Sequence, residues 1–505
     1  VNSRSDRFDG NLTLAYNKTI DKHMLNVGVG SNIMQSETEG ESFTGVGFIN
    51  PDMIFIGAAN AFQENTSPQG TYDKSRLVGF FTNVNYGYGN RYFLDFSFRS
   101  DGSSKFGRNS RFAPFWSLGV AWNVHNESFW HAHEKNALKL RASVGSTGTT
   151  NFSSTQALTT YLYDFSREYN GNFGVSLAGY GNSSLKWQTT LSYNVGVDFT
   201  FLHGLVVFNG DFYIKNTRSL LLPVTVAPST GFIDYVENIG KLRNTGVEAR
   251  LRFNLIQDAV KDLRWNVTLS AFHNRSKITQ LSNQLETINQ YANDDRANQG
   301  TVVYRQFEAG RSQTALMVVR SGGIDPATGN EIYIKRNGEM TFEYNHNDKI
   351  ECGDMKPKIE GNVNTNLNWK GFNLYMLFKY QYGGKIYNAT LASKVEGVNP
   401  LKNADKRVLY DRWKEPGDHA KFRRIDDTSA PYQTTRLVFD NNLLALQSVS
   451  LSYELPRKIS QKMYMERVKL LLSSTDLFRL SSVKQERGTS YPFARTFSIG
   501  LNVTF

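Results

Sequence analysis

Two histidines, His131 and His133, stand one residue apart in the run FWHAHEKN. Paired imidazoles can begin a metal site, but zinc takes three or four ligands and no third stands nearby in sequence. Asp294 and Asp295 lie beside Arg296, and Asp426 and Asp427 lie beside Arg423 and Arg424. Adjacent loop charges of this kind form solvated faces or ion pairs. The single cysteine, Cys352, sits in the polar stretch KIECGDMKP with no second thiol, and reads as an unpaired loop residue. No phosphate-cradling glycine loop, nucleophile elbow or zinc signature occurs. The expectation is a chain with no catalytic residues, no metal and no cofactor, and not an enzyme.

The chemistry that the residues do suit is binding. Tyr161, Tyr163, Tyr169, Tyr180, Tyr291, Tyr304, Trp413 and Tyr432 fall in long polar segments, with Arg423 and Asp426 among them. Flat rings stack on apolar faces, and neighbouring Asn, Asp and Arg satisfy hydroxyls or amides, which is what a sugar or peptide site requires. These ten are the candidate substrate-binding residues. The same rings also suit interfacial girdles and partner interfaces, and the residue types do not separate the three uses.

The elements that must position them are strands. Aromatic residues make up 13% of the 505, with 34 Phe, 25 Tyr, 41 Gly and only 12 Pro, the balance of many strands and turns. Alternation with period two recurs throughout. At the C-terminus Phe497, Ile499, Leu501, Val503 and Phe505 oppose Thr496, Ser498, Gly500, Asn502 and Thr504. Val247, Ala249, Leu251 and Phe253 oppose Glu248, Arg250, Arg252 and Asn254. Charges in that number suit a wet lumen and would be costly in a packed sandwich core. The mean hydropathy of -0.44 does not exclude a membrane, because a transmembrane barrel shows lipid only every second residue. The net charge of +11 is scattered along the chain, so nucleic acid is not the expected partner.

The alternation predicts strands near 8–17, 22–35, 75–88, 91–101, 115–125, 137–147, 187–200, 203–217, 241–255, 262–275, 359–370, 372–382, 443–455, 465–477 and 493–505. Short turns, such as Asn90 and the pair Lys370 and Gly371, alternate with long segments at 36–74, 148–186, 218–240, 276–358 and 383–442. Outer-membrane barrels have short periplasmic turns and long extracellular loops. The expected fold is therefore all-β, an antiparallel transmembrane β-barrel with a periplasmic C-terminus. The apolar runs within 276–358, at 314–320 and 331–335, are expected to be strands that extend the wall beyond the membrane. Bacterial single-chain barrels have even strand numbers, so an odd count of about fifteen implies missing upstream strands, on another chain or absent.

Several stretches resemble the SusC/RagA family of TonB-linked outer-membrane transporters. They are NRYFLDFSFRSDGSSKFGRNSRFAPFWSLGVAWNV at 90–124, LKLRASVGSTG at 138–148, LKWQTTLSYNVGVDF at 185–199 and NIGKLRNTGVEARL at 238–251. GGIDPATGNEIY at 322–333, GFNLYMLFKYQYGGKIYN at 371–388, DRWKEPGD at 411–418, LSYELP at 451–456 and YPFARTFSIGLNVTF at 491–505 follow in family order. Within them, Asp101, Gly102, Ser103 and Ser104 read as an ordered loop, with Gly102 at positive φ and the serines bonding local backbone. Gly240, Asn244 and Gly246 read as turn and bulge residues at a strand start.

The resemblance implies that residues 1–505 are the C-terminal portion of a barrel of about 22 strands, lacking the N-terminal plug. It implies import of an oligosaccharide or peptide nutrient across the outer membrane of a Gram-negative bacterium, under a SusD-like lipoprotein lid. TonB, ExbB and ExbD would act through the missing plug portion, with outer-membrane lipid around the wall. A passive porin, or a barrel protease or lipase, are the rival functions.

Overall fold

The computed structural model describes residues 2–48, 50, 52, 55–63, 69–107, 110–131, 135–150, 157–179, 181–225, 234–238, 240–281, 308–399, 401, 404–427, 429, 431–483 and 495–505. Fifteen strands form one antiparallel sheet in which neighbours follow chain order. They are β1 (Asn2–Ile20), β2 (His23–Ser42), β3 (Gln69–Tyr88), β4 (Tyr92–Ser103), β5 (Phe112–Asn123), β6 (Ala137–Thr149), β7 (Gln188–Phe201) and β8 (Val206–Arg218). Then come β9 (Lys241–Asp258), β10 (Leu263–Gln280), β11 (Ile359–Trp369), β12 (Phe372–Tyr382), β13 (Leu443–Glu454), β14 (Arg467–Ser481) and β15 (Thr496–Thr504). Each strand expected from alternation is present, and β1 to β3 are several residues longer than expected.

The strands expose apolar side chains on one face. Phe8, Leu12 and Leu14 of β1 are 64%, 74% and 73% exposed, and Phe497, Ile499 and Leu501 of β15 are 70%, 84% and 60% exposed. Each such side chain forfeits roughly 1.5–3 kcal/mol when left in water instead of an apolar medium. A face of this extent is built for hydrocarbon. The alternate residues hydrogen-bond to one another: Ser97 Oγ donates to Asn83 Oδ1 at 2.8 Å, and Arg99 donates to Asn32 at 2.5 Å. Farther on, Arg141 reaches Asp198 at 2.8 Å and Asp211 at 3.1 Å.

Short turns require left-handed backbone. Ile359↔Tyr382 through Trp369↔Phe372 register β11 on β12, closed by Lys370 at φ 46° and Gly371 at φ 87°. Two successive positive φ values match the twist of a tight hairpin, and Gly371 meets that demand without a Cβ penalty. Gly240 is also at positive φ, 79°, as expected of a turn.

By packing, the chain divides into two units. One comprises Val1–Trp122, Ala142–Tyr193 and Asn216–Lys241; the other comprises Asn123–Arg141, Asn194–Lys215 and Leu242–Phe505. In the first, Phe106, Phe115, Leu185, Trp187 and Val236 form a core among the connections. The Phe106 and Trp187 rings stack at 4.6 Å. Ser103 bonds local backbone as expected, its Oγ accepting from the Lys105 N–H, whereas Ser104 Oγ accepts from the distant Arg76 N–H. Gly102 differs from expectation, because it lies within β4 and not at positive φ. Its lack of a side chain serves contact instead: an added Cβ would stand 2.6 Å from the Phe112 ring.

In the second unit residues 308–358 depart from the expected wall extension. Ala315–Ile324 and Glu331–Ile334 are strands, but they pair with each other, with Lys349–Asp354 and with Met340–Thr341 in a separate four-stranded sheet. The reason is burial. Leu316, Met317, Val318 and Val319 are at most 1% exposed although successive side chains point to opposite faces, so both faces of this strand are covered. A lumen-lining strand has one wet face. Cys352 has no disulfide, as expected, but it lies in the strand Lys349–Asp354 and not in a loop, its thiol donating to the Leu316 carbonyl at 3.4 Å.

Candidate functional site

The four-stranded sheet and the connection between β12 and β13 fold together as a layer with two hydrophobic cores. Leu316, Tyr387, Ala392 and Leu437 make one; Val395, Val398, Val408 and Phe422 make the other. Local sequence sets the turns. Asn388 caps the short helix Ala389–Leu391, its side chain accepting from the Leu391 N–H at 2.9 Å, and the chain continues as the π-helical turn Ala392–Glu396. Asp405 caps Lys406–Leu409 in the same manner. Glu396 thus ends a turn whose other buried members, Ala392 and Val395, are apolar, and it is carried into the interior with them.

Glu396 is 1% exposed and meets two arginines. Arg423 Nε donates to it at 3.0 Å and Arg436 at 2.8 Å and 3.2 Å. Arg436 also donates to Glu331 at 2.9 Å, and the Thr434 hydroxyl donates to Glu331 at 2.7 Å. Arg412 spends its guanidinium on backbone carbonyls, including those of Arg423 at 2.8 Å and Val408 at 3.1 Å. Buried charges persist only when paired and hydrogen-bonded in this way. Burial opposes the charge on Arg436, but Glu331 and Glu396 outweigh it and hold its pKa above the ordinary arginine value. For Arg412 burial dominates, and its pKa is lowered.

Beside this network Tyr344 and Tyr432 stack at 4.1 Å with planes 5° apart, and both present themselves edge-on to Tyr333. Burial, then the neighbouring Glu331, pushes the Tyr333 phenol up; burial, then Tyr432, does the same for Tyr344. These phenols stay neutral, so the cluster is an apolar, hydrogen-bonding platform.

The ten residues expected to bind substrate take different places. Tyr432 joins the aromatic cluster. Trp413 is half-buried, its indole N–H donating to the Pro326 carbonyl at 2.9 Å and its ring lying over Gly329, where φ is 71°. Arg423 is 4% exposed and held by Glu396, Asp427 and Ser429, which take four of its five N–H donors, so it braces the layer from the interior. Asp426 faces solvent with Arg424 at 2.8 Å. Tyr161 is 64% exposed on the hairpin Thr160–Tyr169 with Asn172–Gly179 in the other unit. The side chains of Tyr163 and Tyr169, and all of Tyr180, Tyr291 and Tyr304, lie outside the described residues, as do His133, Asp294, Asp295 and Arg296. His131 is exposed, with Nδ1 at 2.7 Å from the Phe129 carbonyl oxygen.

Reading by residue type missed Glu331, Glu396, Arg436, Tyr333 and Tyr344. A signal was present for Glu396, because a lone glutamate between apolar neighbours, as in KVEGV, is either misplaced or paired.

Residues 2–316 match the family described as TonB dependent receptor-like, beta-barrel. TonB-dependent receptor P3 of Formosa agariphila is 26% identical over 97% of this chain and 52% of its own length. TonB-dependent receptor SusC of Bacteroides thetaiotaomicron is 27% identical over 64% of this chain and 32% of its own. The solved RagAB peptide transporter superposes with a TM-score of 0.85 at 22% identity, over 100% of this chain and 56% of that one. The chain spans about half the length of the curated relatives it matches. The fifteen-stranded sheet with its hydrocarbon-facing side is the wall of such a barrel, and both SusC and RagAB stand among the proteins it resembles. The chain belongs to the TonB-dependent receptor-like β-barrel family, a family of outer-membrane proteins.

Proposed function

We propose that this chain forms the C-terminal wall and the outer binding layer of a TonB-dependent importer for oligosaccharides or peptides. In this reading the long connections face the outside, the C-terminus is periplasmic, a SusD-like lipoprotein covers the mouth, and TonB with ExbB and ExbD acts through a plug supplied by the rest of the protein. One observation carries it: the connections 308–358 and 383–442 are folded into a layer with its own cores and a buried ion network. A passive pore has no use for so rigid a mouth, whereas capture of a bulky nutrient under a lid needs a preorganised surface. The likeness to RagAB favours peptide alongside oligosaccharide as cargo. Tyr161, Asp426, Trp413 and the Tyr344 and Tyr432 pair are the proposed contacts among described residues, with Tyr163, Tyr169, Tyr180, Tyr291 and Tyr304 proposed on their sequence.

The test is uptake of labelled peptides and oligosaccharides by the native bacterium, with and without a protonophore, together with mass spectrometry of the complex purified in mild detergent. Energy-dependent uptake and a co-purifying surface lipoprotein are expected. Uptake indifferent to the protonophore, with no lipoprotein, would favour a passive porin.

A further inference from the structure

A basic cavity of about 730 Å³ lies where β11 stops short of its neighbour β10, among residues that the import reading leaves without a role. β10 pairs with β11 as far as Phe272↔Glu360, and then runs on to Gln280 without it. Odd-numbered residues of β10 begin on the hydrocarbon face: Trp265, which is 38% exposed, then Val267, Leu269 and Ala271. By strand alternation Arg275 and Lys277 continue that same face. Both line the cavity, and so does Tyr382, which is 62% exposed and shares a face with Phe372, Leu374, Met376 and Phe378 of β12. A tyrosine at this height is what a membrane interface selects.

Charge is unbalanced there. Six cations line the cavity against three carboxylates, Glu351, Asp354 and Asp440. Arg311 pairs with Glu351 at 3.2 Å, Lys385 pairs with Asp440 at 2.6 Å, and Asp354 accepts from the Thr314 hydroxyl. Arg275, Lys277, Lys356 and Lys358 take part in no ion pair among the described residues. Glu308 also pairs with Arg311, at 2.6 Å, so the surplus is about two positive charges, which one phosphate monoester at ~1.5–2 negative charges matches. Its position fits as well. Arg275 and Lys277 stand ten and twelve residues beyond Trp265, about 33–40 Å along the strand, or roughly 25–30 Å in height at a tilt near 40°. That rise spans the hydrocarbon thickness, so with Trp265 at one interface the two cations reach the other.

We propose that Arg275 and Lys277, with Lys356 and Lys358 beside them, bind a phosphate group of a phosphorylated glycolipid in the outer leaflet. The site rests on the reading that long connections face outside. Bound there, the lipid seals the gap left by β11 and holds the upper rim of the wall.

The test uses the complete transporter extracted from outer membrane in mild detergent. Lipid retained after detergent exchange is identified by native mass spectrometry, for wild type and for the double variant R275Q with K277Q. K261Q, at the opposite end of β10 and 74% exposed on its side chain, is the control. Wild type and control are expected to retain lipid A, and the double variant to retain at least about tenfold less. Without any variant, added lipid A should raise the thermal midpoint of lipid-stripped wild type, while dephosphorylated lipid A and inorganic phosphate at equal concentration should not. Equal retention by the double variant, equal protection by the dephosphorylated lipid or by inorganic phosphate, or recovery of glycerophospholipid instead would each overturn the proposal. Protonophore-insensitive uptake would sink the import reading and leave this result standing.

Discussion

Replacing Glu396 by alanine asks whether the buried charges hold the outer layer together. Glu396 is the one carboxylate shared by Arg423 and Arg436, whose side chains are 5% and 10% exposed. Its loss leaves Arg423 with Asp427 and Arg436 with Glu331, and leaves these two carboxylates for the three buried guanidiniums of Arg412, Arg423 and Arg436. Removing one partner of a buried pair costs about 3–5 kcal/mol. That is a rise of roughly 10² to 10³·⁵ in the population of the opened layer. Hydrogen exchange reads it directly. The amides of Val319, Asn388 and Gly397, which donate to Gln433, Leu437 and Ala392, report on the layer, and those of β11 and β12 report on the wall. Layer amides should exchange faster by that factor while wall amides hold, because their ladders do not involve Glu396. E396Q separates charge from cavity: it preserves volume, so a cavity effect would leave it near wild type, whereas a charge effect makes it lose most of what E396A loses. Layer exchange within about fivefold of wild type in both variants would refute the reasoning.

Three further outcomes are expected. Gly329→Ala puts a Cβ 2.5 Å from the Trp413 ring at φ 71°, so it should cost about 1–3 kcal/mol and red-shift tryptophan emission as the ring is displaced; an unchanged spectrum would count against that packing. Burial raises the folded-state pKa of Tyr333, Tyr344 and Tyr387, so the unfolded chain gives up these protons first as pH rises. The stability they lend is therefore complete below about pH 10 and falls above it, and phenolate absorbance should show these rings missing from the ordinary titration until the layer opens. Asp426→Asn breaks an exposed pair with Arg424 and should change stability by no more than about 0.5 kcal/mol. Uptake should nevertheless decline under the proposed contact role; an unaltered KM for uptake would remove Asp426 from the site.

What the amino-acid order determined by itself was the wall. Alternation has a period of two whatever the strand's partners, so Phe497 to Phe505 or Tyr92 to Phe98 declare their faces without reference to the rest of the chain. Turn residues such as Lys370 and Gly371 then pair neighbours in chain order, since an antiparallel meander needs only local connections. What the tertiary structure alone decided was the layer. Arg423 and Asp426 lie three residues apart in one loop and look alike as ligand contacts, yet one is 4% exposed and the other faces solvent. The difference comes from Glu396, Glu331 and Arg436, brought together across up to 105 residues of chain. The run at 314–320 is apolar without alternation from Ala315 to Val319, which fits a strand covered on both faces but does not say what covers it. The cover comes from segments that no local pattern links to it.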